Sequence, residues 1–152
     1  MSHFPAGRIA GIDFGTRRVG IAISDPGQHF ASPLGTYTRK SLEKDSQYFR
    51  ELTRCEEIIG FVVGLPVHMS GDESEKSQQA RAWGAWLAME TERAVEFFDE
   101  RYSTALANDI LREGNLSPTK RKELRDRIAA QVILSSFLEK GSAGNGCEAV
   151  EG

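Results

Sequence analysis

Three acidic residues stand where the chain could do chemistry: Asp13, Glu100 and Asp126. Asp13 closes an apolar run, Ile9 to Ile12, whose unbroken hydrophobicity suits a strand covered on both faces. Glu100 follows a second short strand, Val95 to Phe98. Asp126 shares a helical stripe with Ala129, Ala130, Ile133 and Phe137, so a carboxylate continues an otherwise buried face. In open α/β sheets, ligands sit beyond the carboxyl ends of strands. Three carboxylates meeting there would repel and raise one another's pKa unless a hard cation, Mg2+ or Mn2+, lay between them. Paired ions about 4 Å apart can activate water and stabilise both oxygens of an in-line phosphodiester displacement. The plainer reading of Asp13, taken alone, is an acid that caps its own Asp-x-Gly-Thr turn.

These acids need a frame to bring them together. Arg8 to Asp25 reads as a hairpin, in which Gly15 lets the chain turn and Val19, Ile21 and Ile23 alternate with Gly20, Ala22 and Ser24. Phe30 to Thr38 is a weaker strand, and Pro33, which cannot donate to a ladder, suits it to the sheet's edge. Ser41 caps a helix with Leu42, Phe49 and Leu52 near one face. Ile58 to Val63 is a buried central parallel strand stopped by Gly64-Leu65-Pro66. A second helix, about Asp72 to Glu90, buries Ala80, Trp83, Gly84 and Leu87. Ser103 or Thr104 opens a short helix ending at Gly114, and Ser117-Pro118 opens a last one running to about Lys140. The order predicts an α/β layer fold with parallel central strands. Residues 1–140 form one domain, and 141–152, too poor in apolar residues to pack, form a disordered tail.

Composition narrows the partners. At 152 residues, 39% hydrophobic and 27% charged, the chain can bury a real core, while a net charge of −3 weighs against coating nucleic acid by bulk charge. A local basic patch remains open. Lys120, Arg121, Lys122, Arg125 and Arg127 enter the last helix against its dipole, so a phosphate partner would relieve a local cost. Thr16, Arg17 and Arg18, in the turn beside Asp13, could hold a phosphate flanking a scissile bond. Cys55 and Cys147 fit neither a disulfide framework nor a zinc site. The amino terminus lacks the apolar core of a signal peptide and no apolar run could span a bilayer, which points to the cytoplasm and away from membranes.

Four stretches in order, DFGTRRVGIAISD, FVVGLPVHMSG, FFDERYST and RDRIAAQVIL, resemble the YqgF (RuvX) family of Holliday-junction-resolvase-like nucleases linked to pre-16S ribosomal RNA maturation. The resemblance implies a ribonuclease H-like fold, a mixed five-stranded sheet flanked by helices, with hydrolysis of phosphodiesters dependent on Mg2+ or Mn2+. By position, Asp13, Glu100 and Asp126 match the family's acids and would ligate the metal. The implied partner is nucleic acid, pre-rRNA or branched DNA, with a homodimer like that of junction resolvases and ribosome association left open. The chain departs from the family's usual loop at Val67, His68 and Ser70. It also lacks the acid that the wider superfamily often carries at the fourth strand's end. Two other readings stand beside this one. An ATP-binding phosphotransferase shares the Asp-x-Gly-Thr turn but clamps nucleotide between two such domains, and this chain supplies one. A non-catalytic ribosome- or transcription-associated module would bind nucleic acid without turnover.

Overall fold

The computed structural model describes residues 4–66, 74–100 and 128–140. The elements are β1 (Arg8–Phe14), β2 (Arg18–Ser24), β3 (Ala31–Thr38), α1 (Leu42–Cys55), β4 (Ile58–Leu65), α2 (Glu75–Thr91) and β5 (Ala94–Asp99). A last helix, α3, is described over residues 128–140. The sheet order is β3-β2-β1-β4-β5. β1, β2 and β3 pair antiparallel, whereas β4 runs parallel to both β1 and β5. This is the mixed five-stranded sheet that the family resemblance implies, with β3 and its Pro33 at an edge as the sequence predicts.

Alternation along the strands divides the core between the two faces. Ala10, Ile12, Val19, Ile21 and Val63 pack with Phe49 of α1 and Trp83 and Leu87 of α2. Ile9, Ala22, Val62 and Phe98 pack with Ala130, Ile133, Leu134 and Leu138 of α3. Because both faces are covered, β1, β2 and β4 need nearly continuous apolar runs. α3 lies unusually close to the sheet: a methyl group on Gly11 would stand 2.6 Å from Leu134 Cβ and 2.9 Å from the Ala130 carbonyl. Small residues on both partners permit that approach.

Local signals set most boundaries. Ser41 caps α1 by accepting from the Lys44 amide at 3.2 Å, as the sequence predicts. α2 begins at Glu75, not near Asp72, because Ser74 is its cap: its hydroxyl accepts from Ser77 N at 3.0 Å and donates to the Pro66 carbonyl at 2.7 Å. Two expectations are corrected. β1 does not stop at Ile12, since Asp13 pairs with Gly20 and Phe14 with Val19, leaving Asp13 inside the ladder and not in the turn. Phe14 extends the strand because its ring packs against Trp83, 5.2 Å away between centroids, on the α1–α2 side. Leu42 is 62% exposed, and α1 instead buries Asp45, Ser46, Phe49 and Thr53.

The expected short helix after Ser103, the start of the last helix and residues 141–152 lie outside the described residues. Among the described residues no helix is long and apolar enough to cross a membrane.

Candidate active site

Asp13 and Glu100 come to one end and one face of the sheet. Ile9 and Gly11 both meet α3, so the next residue of that parity, Asp13, points to the same side. On β5, Phe98 belongs to the α3-side core, and Glu100 follows two residues later, just past the strand. β4 runs between them. Its pairing of Val63 with Ile12 and of Gly64 with Phe98 sets Gly64 in the row that separates the two acids. Gly64 has no side chain to fill that gap. A methyl group there would lie 2.5 Å from Ile133 Cδ1 and 3.0 Å from a Glu100 carboxylate oxygen. The carboxylate thus leans over the bare backbone of the neighbouring strand.

Both acids are half-buried. Burial, helped by the adjacent charge of Asp99, pushes the Glu100 carboxyl above the ordinary glutamate range. A buried acid raised in this way would gain from a cation. The donors available are hard carboxylate oxygens, which suit Mg2+ or Mn2+. Among the described residues no three of His, Cys, Asp and Glu are grouped closely enough to hold an ion by themselves. Asp126, the third acid expected from sequence, lies outside the described residues, as do Lys120, Arg121, Lys122 and His68. His29 is placed far from the acids, in the β2–β3 turn, where its amide donates to Asp25 Oδ1 at 2.8 Å.

The β1–β2 turn presents Thr16 and Arg17 to solvent and Arg18 half-buried at the start of β2, so these three stand at the end where Asp13 lies. Sequence reasoning missed what holds this turn. Arg39 donates from Nη1 to the Thr16 carbonyl at 3.1 Å and from its amide to the Arg17 carbonyl at 2.8 Å, and its guanidinium lies 5.2 Å above the Phe14 ring. Asp45 anchors Arg39 in turn, Oδ2 to Nε at 3.7 Å, while Oδ1 accepts from the Tyr37 hydroxyl at 2.7 Å and the Lys40 amide at 2.9 Å. A signal for Arg39 existed in the sequence. Three consecutive antiparallel strands return the end of the third to the end of the first, so residues just after Thr38 must stand beside the Asp-x-Gly-Thr turn.

A cleft of about 730 Å3 lies at the opposite end of the sheet, lined by Arg50, Arg54, Ile58, Glu90 and Arg93 among others. It is remote from the acids.

Comparison with known proteins bears on the family and the fold. A family model described as "RuvX: Holliday junction resolvase" matches residues 7–140. A Rhodopirellula baltica protein named "Putative pre-16S rRNA nuclease" is 47% identical over 137 residues, covering 90% of this chain and 79% of that protein. A protein of the same name from Koribacter versatilis is 43% identical over 134 residues, 88% of each chain. Among solved structures, Thermus thermophilus RuvC superposes with a TM-score of 0.54 at 14% identity, covering 88% of this chain and 96% of that one. The fowlpox virus resolvase bound to Holliday junction DNA gives 0.53 at 12% identity, covering 88% and 97%. At such identities the likeness concerns the fold, which is the ribonuclease H-like fold of those resolvases.

Proposed function

This chain belongs to the RuvX family, and from that premise we propose that it is a divalent-metal-dependent nuclease hydrolysing phosphodiester bonds in structured nucleic acid. The observation that carries the reading is the pairing of Asp13 and Glu100 on one face across the side-chain-free Gly64. Its substrate is the 5′ end of pre-16S ribosomal RNA, in keeping with the names of its relatives, and it acts in the cytoplasm as a single domain spanning residues 1–140. A four-way DNA junction is the second substrate to test, because the family model's description names one.

In this reading Asp13, Glu100 and Asp126 hold Mg2+ or Mn2+. When bound, such an ion would supply Lewis-acid polarisation of a phosphate oxygen and lower the pKa of a water. The chain's own residues do the rest. Glu100, leaning over Gly64, fixes one side of the ion site and keeps water from its buried oxygen. Arg17 and Thr16 hold the phosphate next to the scissile one, with Arg18, Lys120, Arg121 and Lys122 holding phosphates farther along. Arg39 keeps the turn in the posture that presents Thr16 and Arg17.

The test compares wild type with Asp13→Asn, Glu100→Gln and Asp126→Asn on pre-rRNA fragments and four-way junctions, in Mn2+, Mg2+ or chelator. Each variant should lose cleavage by about a hundredfold or more while melting as a folded protein. Cleavage that persists in the variants or in chelator would overturn the assignment.

A further inference from the structure

Cations among the described residues differ in how fully they are partnered. Where β1 and β4 begin, they are satisfied: Arg8 pairs with Glu56 at 3.7 Å, Arg50 with Glu90 at 3.2 Å and Arg54 with Glu51 at 3.4 Å, while Arg93 donates to the Ile58 carbonyl at 3.0 Å. At the Asp13 end Arg39 is held by Asp45 and the Thr16 carbonyl, but four other cations are not held in this way. Arg17, Lys40, Lys44 and Lys76 are exposed, and their side chains meet no acid, carbonyl or ring among the described residues.

These four lie along one rim. Arg18 pairs with Thr38 in the β2–β3 ladder and the Arg17 carbonyl accepts from Arg39 N at 2.8 Å, so Arg17 and Lys40 flank the same corner. Lys44 lies one helical turn further, its amide bonded to the Ser41 cap at 3.2 Å. Lys76 stands in the first turn of α2, whose Ser74 cap is tied to Pro66 at the end of β4. Lys44 and Lys76 thus sit at helix amino termini, the positive end of the dipole, where a lysine is disfavoured unless an anion joins it. Two exposed acids share the rim, Glu43 and Glu75, one in each first turn. Asp45 is buried and committed to Tyr37 and Arg39, while Asp13, Asp99 and Glu100 stand half-buried at the same end. Among the described residues the exposed charge along this stretch is therefore four cations against two acids, on a chain whose net charge is −3.

We propose that Arg17, Lys40 and Lys44, continued by Lys76, form a phosphate track that carries a nucleic-acid strand from the Asp13–Glu100 pair over the β1–β2 turn and along the heads of α1 and α2. The track rests on the nuclease reading for the identity of its polyanion. Its lysines are point charges on flexible stems, so it grips backbone without reading bases.

The full-length protein would be titrated, in EDTA, against two fluorescein-labelled probes, an RNA hairpin with a single-stranded flank and a four-way DNA junction, between about 50 and 200 mM KCl. Lys40→Glu with Lys44→Glu should weaken binding tenfold or more and flatten the salt slope by about 1.5, the loss of two phosphate contacts. Arg54→Glu, at the far end, should bind like wild type. Weakening on both probes, or on one alone, supports the track and identifies its strand. Wild-type-like binding of the double variant to both probes overturns it, as does absence of binding by the wild type. Cleavage of the same probes in Mn2+ separates the two readings. A wild type that binds through Lys40 and Lys44 yet cuts nothing sinks the hydrolytic reading and leaves the track; a wild type that cuts while the double variant binds normally sinks the track alone.

Discussion

Glu100 stands where burial disfavours its charge. Its carboxyl is raised by burial and by Asp99, so in the folded chain the charged form is the disfavoured one. Stability linked to its protonation is fully present below the ordinary glutamate pKa and is lost as pH rises through the higher folded value. Glu100→Gln should therefore melt at a higher temperature than wild type near pH 7.5 in chelator, and the gain should vanish near pH 4. Added Mn2+ should raise the melting temperature of wild type and not of the variant. Equal melting of the two proteins at both pH values would count against the burial account. Gly64 is the companion case. A methyl group there meets Ile133 and the Glu100 carboxylate, so Gly64→Ala should cost about 1–3 kcal/mol in urea unfolding through overpacking. It should also lower cleavage at temperatures where the variant is fully folded, because Glu100 must move aside. Undiminished cleavage in folded Gly64→Ala would show that Glu100 need not lean over β4.

At the scale of elements, β3 and α1 are joined by a polar clasp under the hairpin turn. Asp45 is 2% exposed and accepts from Tyr37 and the Lys40 amide while facing Arg39. Asp45→Ala leaves a buried hydroxyl and an amide without their acceptor, at about 1–3 kcal/mol, measurable as a lowered urea midpoint. Hydrogen exchange at Thr16 and Arg17 should quicken in the same variant, since Arg39 loses its anchor. An unchanged turn would mean that Arg39 holds its posture through Phe14 alone. Burial and the Asp45 contact push the Tyr37 phenol up to about 12, so the stability tied to its neutral form is lost only as pH rises through that value. The clasp also marks where sequence reading stops. Ser41 as a cap and Pro33 at an edge were legible because their causes are local. The burial of Asp45 was not, because its partner comes from another element, and helical periodicity alone assigned the buried face to Leu42. Asp13 was legible as an acid at a strand's end but not as a ladder residue, since Phe14 is kept in the strand by a tryptophan almost seventy positions later in the chain.

Across the whole molecule, apolar runs predicted which strands lie inside, which sufficed to infer the layered α/β fold and to set Asp13 and Glu100 after strand ends. Whether the acids meet was not legible, because they lie far apart in sequence. The ion pairs at the far end of the sheet could not be read without the registers, because Arg8 and Glu56, or Arg50 and Glu90, are distant in sequence. One property of the sheet reaches into the protein's own birth. Among the described residues β5 is the last strand to leave the ribosome and an edge of the sheet, so a nascent chain can lay down the first four strands before the second carboxylate has been translated. On the proposed chemistry the polypeptide is harmless to the RNA around it until Glu100 has been added.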